Sequence, residues 1–223
     1  MTRTLDELLH IEDPAWPQLR QWLADAINPA SVWTTPRQRG EATLYRLQVD
    51  AATTLGAMAL YTAGVSVDNG WIRLLGAGGD PLGDGLREWN GLSGRPPAMP
   101  GALVVAHDVV GGFFIVNAGA LPGEHGRVLY RAARTWVDLG LGYTAFVRWT
   151  LEADLDRFYT RLRWPGWKED LRALPPHQGY AFEPDLREQP LLLGDDAVES
   201  RQRTAVPMRA LWRVLVPGVE AEA

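Results

Sequence analysis

The chain has 223 residues, 46% of them apolar and 22% charged, with a formal net charge of −5 and no cysteine. That composition fits a globular domain with a substantial core and rules out a wholly disordered or low-complexity chain. Without cysteine there are no disulfides, thiolate nucleophiles, iron–sulfur clusters or cysteine-ligated zinc, and the acidic balance argues against a nucleic-acid-binding surface. The segment from Met1 to Glu7 has no apolar run like a signal peptide, and no later stretch is long enough to span a bilayer, so a cytoplasmic location is expected.

Thr4 followed by Glu7 predicts a capping box that opens a short helix from Leu5 to about Ile11. Asp13 then offers an N-cap with Pro14 at the first helical position. Trp16, Leu19, Leu23 and Ile27 recur at helical spacing up to Asn28-Pro29. Thr35-Pro36 repeats that start signal for a helix with a weaker apolar face, Leu44 and Leu47, running toward Val49.

After Thr54 the character changes. Leu55 to Tyr61 is a compact apolar run, and Val65 to Val67 is β-branched at alternate positions. Asp68-Asn69-Gly70 separates these from Trp71 to Leu75, and Asn-Gly at such a junction predicts a hairpin, because both residues tolerate positive φ. Gly76 to Pro100 reads as a long loop carrying Trp89. Strands follow at Leu103–Ala106, Gly112–Asn117, Arg127–Tyr130 and Thr135–Asp138. Their connections are too short for parallel crossovers, so they are expected to pair as an antiparallel meander.

From Tyr143 the helical period returns with Phe146 and Trp149. Asp154 caps a further helix with Leu155, Phe158, Tyr159 and Leu162 on one face, and helices are expected to cover one face of the sheet. Trp164-Pro165-Gly166-Trp167 breaks that helix, and another short one reaches Leu174. Beyond Pro184 the chain turns polar, and Asp195 to Arg203 reads as a solvated linker. Pro207 then opens a last helix with Met208, Leu211, Trp212 and Leu215 on one stripe. The expected organisation is one α+β domain over residues 1–185, then a polar linker and an amphipathic helix over 186–223 that docks on it. In that fold a mainly antiparallel central sheet is flanked by N-terminal and C-terminal helices.

No catalytic constellation emerges. Gly76-Ala77-Gly78-Gly79 lacks both Rossmann spacing and a following Lys-Ser/Thr, and reads as a turn. His107-Asp108 could begin a metal site, but His10, His125 and His177 do not stand at ligand spacing, so neither metal nor cofactor is expected. None of Ser31, Ser66, Ser93 and Ser200 sits in a nucleophile elbow. Glu152, Asp154 and Asp156 read as capping and solvated residues, and Arg157, Arg161 and Arg163, interleaved with Asp154 and Asp156, as helix-face ion pairs. The 10 tryptophans are unusual: Trp164 and Trp167 flank a rigid break, where they plug a core edge or form a recognition surface, the former being the commoner use.

Several stretches resemble a prokaryotic domain-of-unknown-function family, number 2625. They are Glu12-Asp13-Pro14-Ala15-Trp16-Pro17, Asn69 to Gly76, Asp108 to Phe114, Leu155 to Tyr159 and Leu162 to Trp167. That family brings no catalytic residues. More distantly, Gly111 to Asn117, Gly126 to Tyr130 and Tyr143 to Val147 are similar in order to the SUKH superfamily. This likeness implies a SUKH-like α+β immunity or scaffold domain, many members of which bind toxins.

Two functions follow as expectations. The first is a non-enzymatic protein-binding module, an immunity-type inhibitor whose acidic face and exposed tryptophans meet a basic, toxin-like partner. The alternative is a small-molecule-binding protein or an enzyme, with Asp68, Trp71, His107, Asp108 and Asn117 gathered at the sheet rim. Trp89, Trp164 and Trp167 complete the candidate binding residues.

Overall fold

The structure, a computed structural model, describes residues 2–132, 135–186 and 198–216. Seven strands, β1 (Ala30–Thr34), β2 (Thr62–Val67), β3 (Ile72–Leu75), β4 (Ala102–Asp108), β5 (Phe113–Asn117), β6 (Arg127–Arg131) and β7 (Val137–Gly142), lie in sequence order in one sheet. Every neighbouring pair is antiparallel, so the meander extends across the whole sheet. The turn between β2 and β3 is local chemistry: Asp68, Asn69 and Gly70 take left-handed backbone with φ of 51°, 57° and 88°, a geometry those residue types tolerate.

The helices are α1 (Leu5–Leu9), α2 (Trp16–Ala24), α3 (Arg37–Leu47), α4 (Thr54–Tyr61), α5 (Leu86–Trp89), α6 (Tyr143–Glu152), α7 (Leu155–Phe158), α8 (Trp167–Ala173) and α9 (Met208–Leu215). The capping box forms as the sequence demands, with the Thr4 amide donating to Glu7 Oε2 at 2.7 Å and the Glu7 amide to Thr4 Oγ1 at 3.3 Å. Other starts shift. Ala15, not Asp13, caps α2, and the compact run after Thr54 is the buried helix α4, since a short all-apolar stretch carries no periodicity to separate helix from strand.

Side chains alternate across a strand, so Phe113 and Phe114 face opposite ways. Phe114 packs on Phe146 of α6, ring centroids 4.9 Å apart, on the side where α6 meets α2 and α4. Phe113 packs on Trp212 of α9 at 4.8 Å and on Trp89 of α5 at 5.4 Å. Helices therefore cover both faces, not one, and the apolar stripe of α9 is buried in the same core as the sheet.

Three strands have no counterpart in the sequence reading. β1 lies between Pro29 and Pro36, between the second and third expected helices. β8 (Gln178–Glu183) and β9 (Gln202–Pro207) form a separate two-stranded sheet. Gln202 and Arg203 of the expected linker thus belong to β9; residues 187–197 of that stretch lie outside the described residues. No helix among the described residues is long and apolar enough to cross a membrane.

Candidate functional site

The eight residues singled out from sequence are all buried, and they separate into three places. Asp68, Trp71, Asp108, Trp164 and Trp167 gather at the end of the sheet that carries the β2–β3 and β4–β5 turns. Trp89 and His107 lie on the face under α9. Asn117 stands at the far end of β5, where its Oδ1 accepts the Gly119 and Leu121 amides at 3.1 and 3.2 Å and its amide donates to Leu121 O at 3.0 Å. It holds the β5–β6 connection and joins no site.

At the turn end most polar atoms are consumed by the fold, although Trp71 Nε1 and Arg163 Nε are buried without a hydrogen-bond partner. Asp108 Oδ1 accepts the Val110 and Gly112 amides at 3.1 and 2.7 Å, and Oδ2 accepts the Tyr130 and Tyr159 hydroxyls at 2.7 and 3.2 Å. Burial pushes this carboxyl above the usual range while those four donors pull it back. Position 112 must be glycine, because a Cβ there would sit 2.3 Å from Asp108 Oδ2. Arg163 turns inward rather than along a helix face. It pairs with Asp68 and Asp156, and its guanidinium carbon lies 4.4 Å from the Trp167 ring centroid and 4.9 Å from that of Trp71. The aromatic cluster around Trp164 and Trp167 is thus filled by the protein's own cation. None of the ten tryptophans is exposed, which removes the expected aromatic exterior.

The other face is different. A cleft of about 270 Å³ opens between the sheet and the layer built by α9 and the 76–90 segment. Its walls are residues 82–84, Trp89 of α5, His107 of β4, His177 before β8, and residues 207–209 at the start of α9. Arg209 lies over Trp89, its guanidinium carbon 3.9 Å from the ring centroid, and donates to Asp84 Oδ2 at 2.8 Å and to Glu88 O at 2.7 Å.

His107 is 1% exposed, and its Nδ1 has no hydrogen-bond partner. Burial, reinforced by Arg73, holds its pKa well below the ordinary 6.5, so the ring is neutral at physiological pH. Arg73 is its register partner on β3 and donates to Gln178 O. Burial draws the Arg73 guanidinium down to about 10, against the opposing pull of Asp108, and it remains a cation. No three His, Asp or Glu side chains among the described residues converge to hold a metal ion.

Arg209, Asp84 and His177 were not singled out as site residues. One signal was available: an arginine in a first helical turn opposes the macrodipole and calls for a local reason. Arg73, a charge between Ile72 and Leu74 in an apolar strand, was another.

The fold and cleft define an α+β protein with an antiparallel meander layered on both sides. The chain belongs to the family described as "Protein of unknown function DUF2625", whose profile matches residues 5–211. It is similar to an uncharacterized protein of Haemophilus influenzae, 34% identical over 211 residues, covering 92% of this chain and 90% of that one. It is likewise similar to the uncharacterized YbfG of Escherichia coli K12, 34% identical over 216 residues and covering 95% of each chain. No solved structure gives a significant match.

Proposed function

We propose that the protein binds a metabolite-sized molecule in the cleft over His107. The observation that carries this reading is the cleft of about 270 Å³ itself, whose lining brings the buried, neutral imidazole of His107 together with His177 and Arg209. The space of about 270 Å³ falls just below the roughly 300–1,000 Å³ of small-molecule pockets, which points to a small guest. Leu82, Trp89 and Met208 supply apolar wall, and the histidines and Arg209 supply the few polar groups that orient a guest.

The test is a screen of a polar-metabolite library by saturation-transfer NMR against the wild type and His107→Phe. A binder whose signal is lost in the variant is the expected result. Failure of every compound, or binding indifferent to the substitution, overturns the reading.

A second reading keeps the SUKH-like immunity function. It is favoured by the exposed carboxylates Glu152, Asp154 and Asp156 around a polar pocket of about 340 Å³ beside exposed Ile27, where they outnumber the cations Arg163 and Lys168 and, with the net charge of −5, would suit a basic protein. Co-purification with a basic toxin-like partner, abolished by Asp154→Lys/Asp156→Lys, supports it; retention of that partner by the double variant removes it.

A further inference from the structure

A sheet laid down in sequence order has two edges, β1 and β7, and only one of them is defended. On β7 the exposed Asp138 stands in the strand, its Oδ1 accepts the Gly140 amide at 2.8 Å, and Gly140 turns to a φ of 70°, so charge and a kink interrupt that edge. β1 carries no such guard. From Ala26 to Pro36 no residue is charged, in a chain whose net charge is −5, and Ser31, Val32 and Thr34 are exposed.

The free backbone groups of β1 form a symmetric set. The Asp68 amide donates to Pro29 O at 2.8 Å, so residues 29, 31 and 33 turn toward β2. Alternation then points the N–H and C=O of Ala30, Val32 and Thr34 away from the sheet. The bulge near Trp33 leaves this unbroken, because its extra residue, Ala63, lies on β2. A two-fold axis at Val32 sets that residue opposite the partner's Val32 and sets Ala30 opposite the partner's Thr34, each pair exchanging both hydrogen bonds.

The flanks are complementary in the same arrangement. Before β1, Ile27 is 74% exposed, and Ile27 and Asn28 border the pocket rimmed by the exposed carboxylates of Glu152 and Asp154. After β1 comes Arg37, its side chain 84% exposed, whose pair with Glu41 is of the exposed i,i+4 kind that holds a side chain only weakly. Antiparallel alignment brings the partner's Arg37 beside Ile27, its aliphatic stem against the isoleucine and its guanidinium toward the carboxylates.

We infer that β1 is the seam of a homodimer, in which two copies pair edge to edge about Val32 and join their seven-stranded sheets into one. An extended peptide could take the same hydrogen bonds, but a second copy also supplies, twice over, the basic flank that meets the acidic one. The inference goes beyond ligand binding in the cleft and does not rest on it.

The test is sedimentation equilibrium of the full chain from micromolar to near-millimolar concentration, where so short a seam predicts a concentration-dependent dimer. Val32→Lys sets two ammonium groups against each other across the axis, and Val32→Pro removes an N–H that β2 does not use; each is expected to weaken the dimer at least tenfold. Val137→Lys on β7 is expected to change nothing. Because the chain has no cysteine, Val32→Cys puts a single thiol on each copy, with facing Cα atoms about 5.5 Å apart and within disulfide reach, so oxidation should link the dimer. Thr34→Cys should not link, its two copies standing four residues out of register, about 13 Å along the strands. A wild type that stays monomeric throughout, dimerisation indifferent to both the lysine and the proline, or linkage through Thr34→Cys in place of Val32→Cys overturns the inference.

Discussion

Replacing Asp108 separates an architectural carboxylate from a reactive one. Its two oxygens accept from two backbone amides and two tyrosine hydroxyls, all within 3.2 Å and all buried. Asp108→Ala orphans four donors at once. At about 1 kcal/mol each, the lower limit for a buried unsatisfied group, the loss is about 4 kcal/mol, a large share of the roughly 5–15 kcal/mol that holds a domain folded. Asp108→Asn keeps an acceptor for the Val110 and Gly112 amides and turns an NH2 toward hydroxyls that can rotate to accept it, so its expected cost is about 1–2 kcal/mol. Urea unfolding followed by tryptophan fluorescence reads both, with an unchanged slope confirming that stability alone has moved. Equal losses for the two variants, or a loss below about 1 kcal/mol for alanine, would refute the claim that four donors depend on this carboxylate.

His107 predicts a pH effect. Its folded pKa lies below 6.5, so the unfolded chain takes up the proton first; the stability is complete above 6.5 and drains as pH falls below it. Stability of the wild type should drop by up to about 1.4 kcal/mol per pH unit there, and His107→Phe should flatten that slope, which parallel slopes in urea melts would contradict. Trp212, 2% exposed and edge-on to Phe113 at 4.8 Å, anchors α9; Trp212→Ala should cost about 3–5 kcal/mol, and a loss under about 1 kcal/mol would show α9 to be loosely held. Arg163 and Asp68 form a pair with both side chains 9% exposed, so Arg163→Ala should cost about 3–5 kcal/mol. Arg163→Lys should recover less than half of that, because an ammonium can neither span Asp68 and Asp156 nor lie flat on Trp167; full recovery in thermal melts would reduce the contact to charge alone.

The meander was legible because its turns are chemical. Asn69-Gly70 and Gly111-Gly112 stand between β-branched or aromatic runs too close together for crossovers. β8 and β9 were not, since facing pairs such as Ala181 with Thr204 and Tyr180 with Ala205 carry no shared apolar alternation; backbone pairing and packing of Tyr180, Phe182 and Val206 on the core hold them. At the site, the residue types that drew attention, Asp68, Trp71, Asp108 and Asn117, proved to be hydrogen-bonding and packing joints. His107 and Trp89 were found, but their neighbours Asp84, His177 and Arg209 come from three distant stretches that only the folded chain brings together. His107 and Asp108, adjacent in sequence, serve opposite faces of β4, a separation that period-two alternation implies once the strand is recognised.

The central claim is that the cleft over His107 is where this protein meets its ligand. A crystal structure of the complex with the tightest library binder tests it most directly. The account predicts the molecule lodged between His107, His177 and the start of α9. A ligand seated elsewhere, with the cleft over His107 empty, would contradict it.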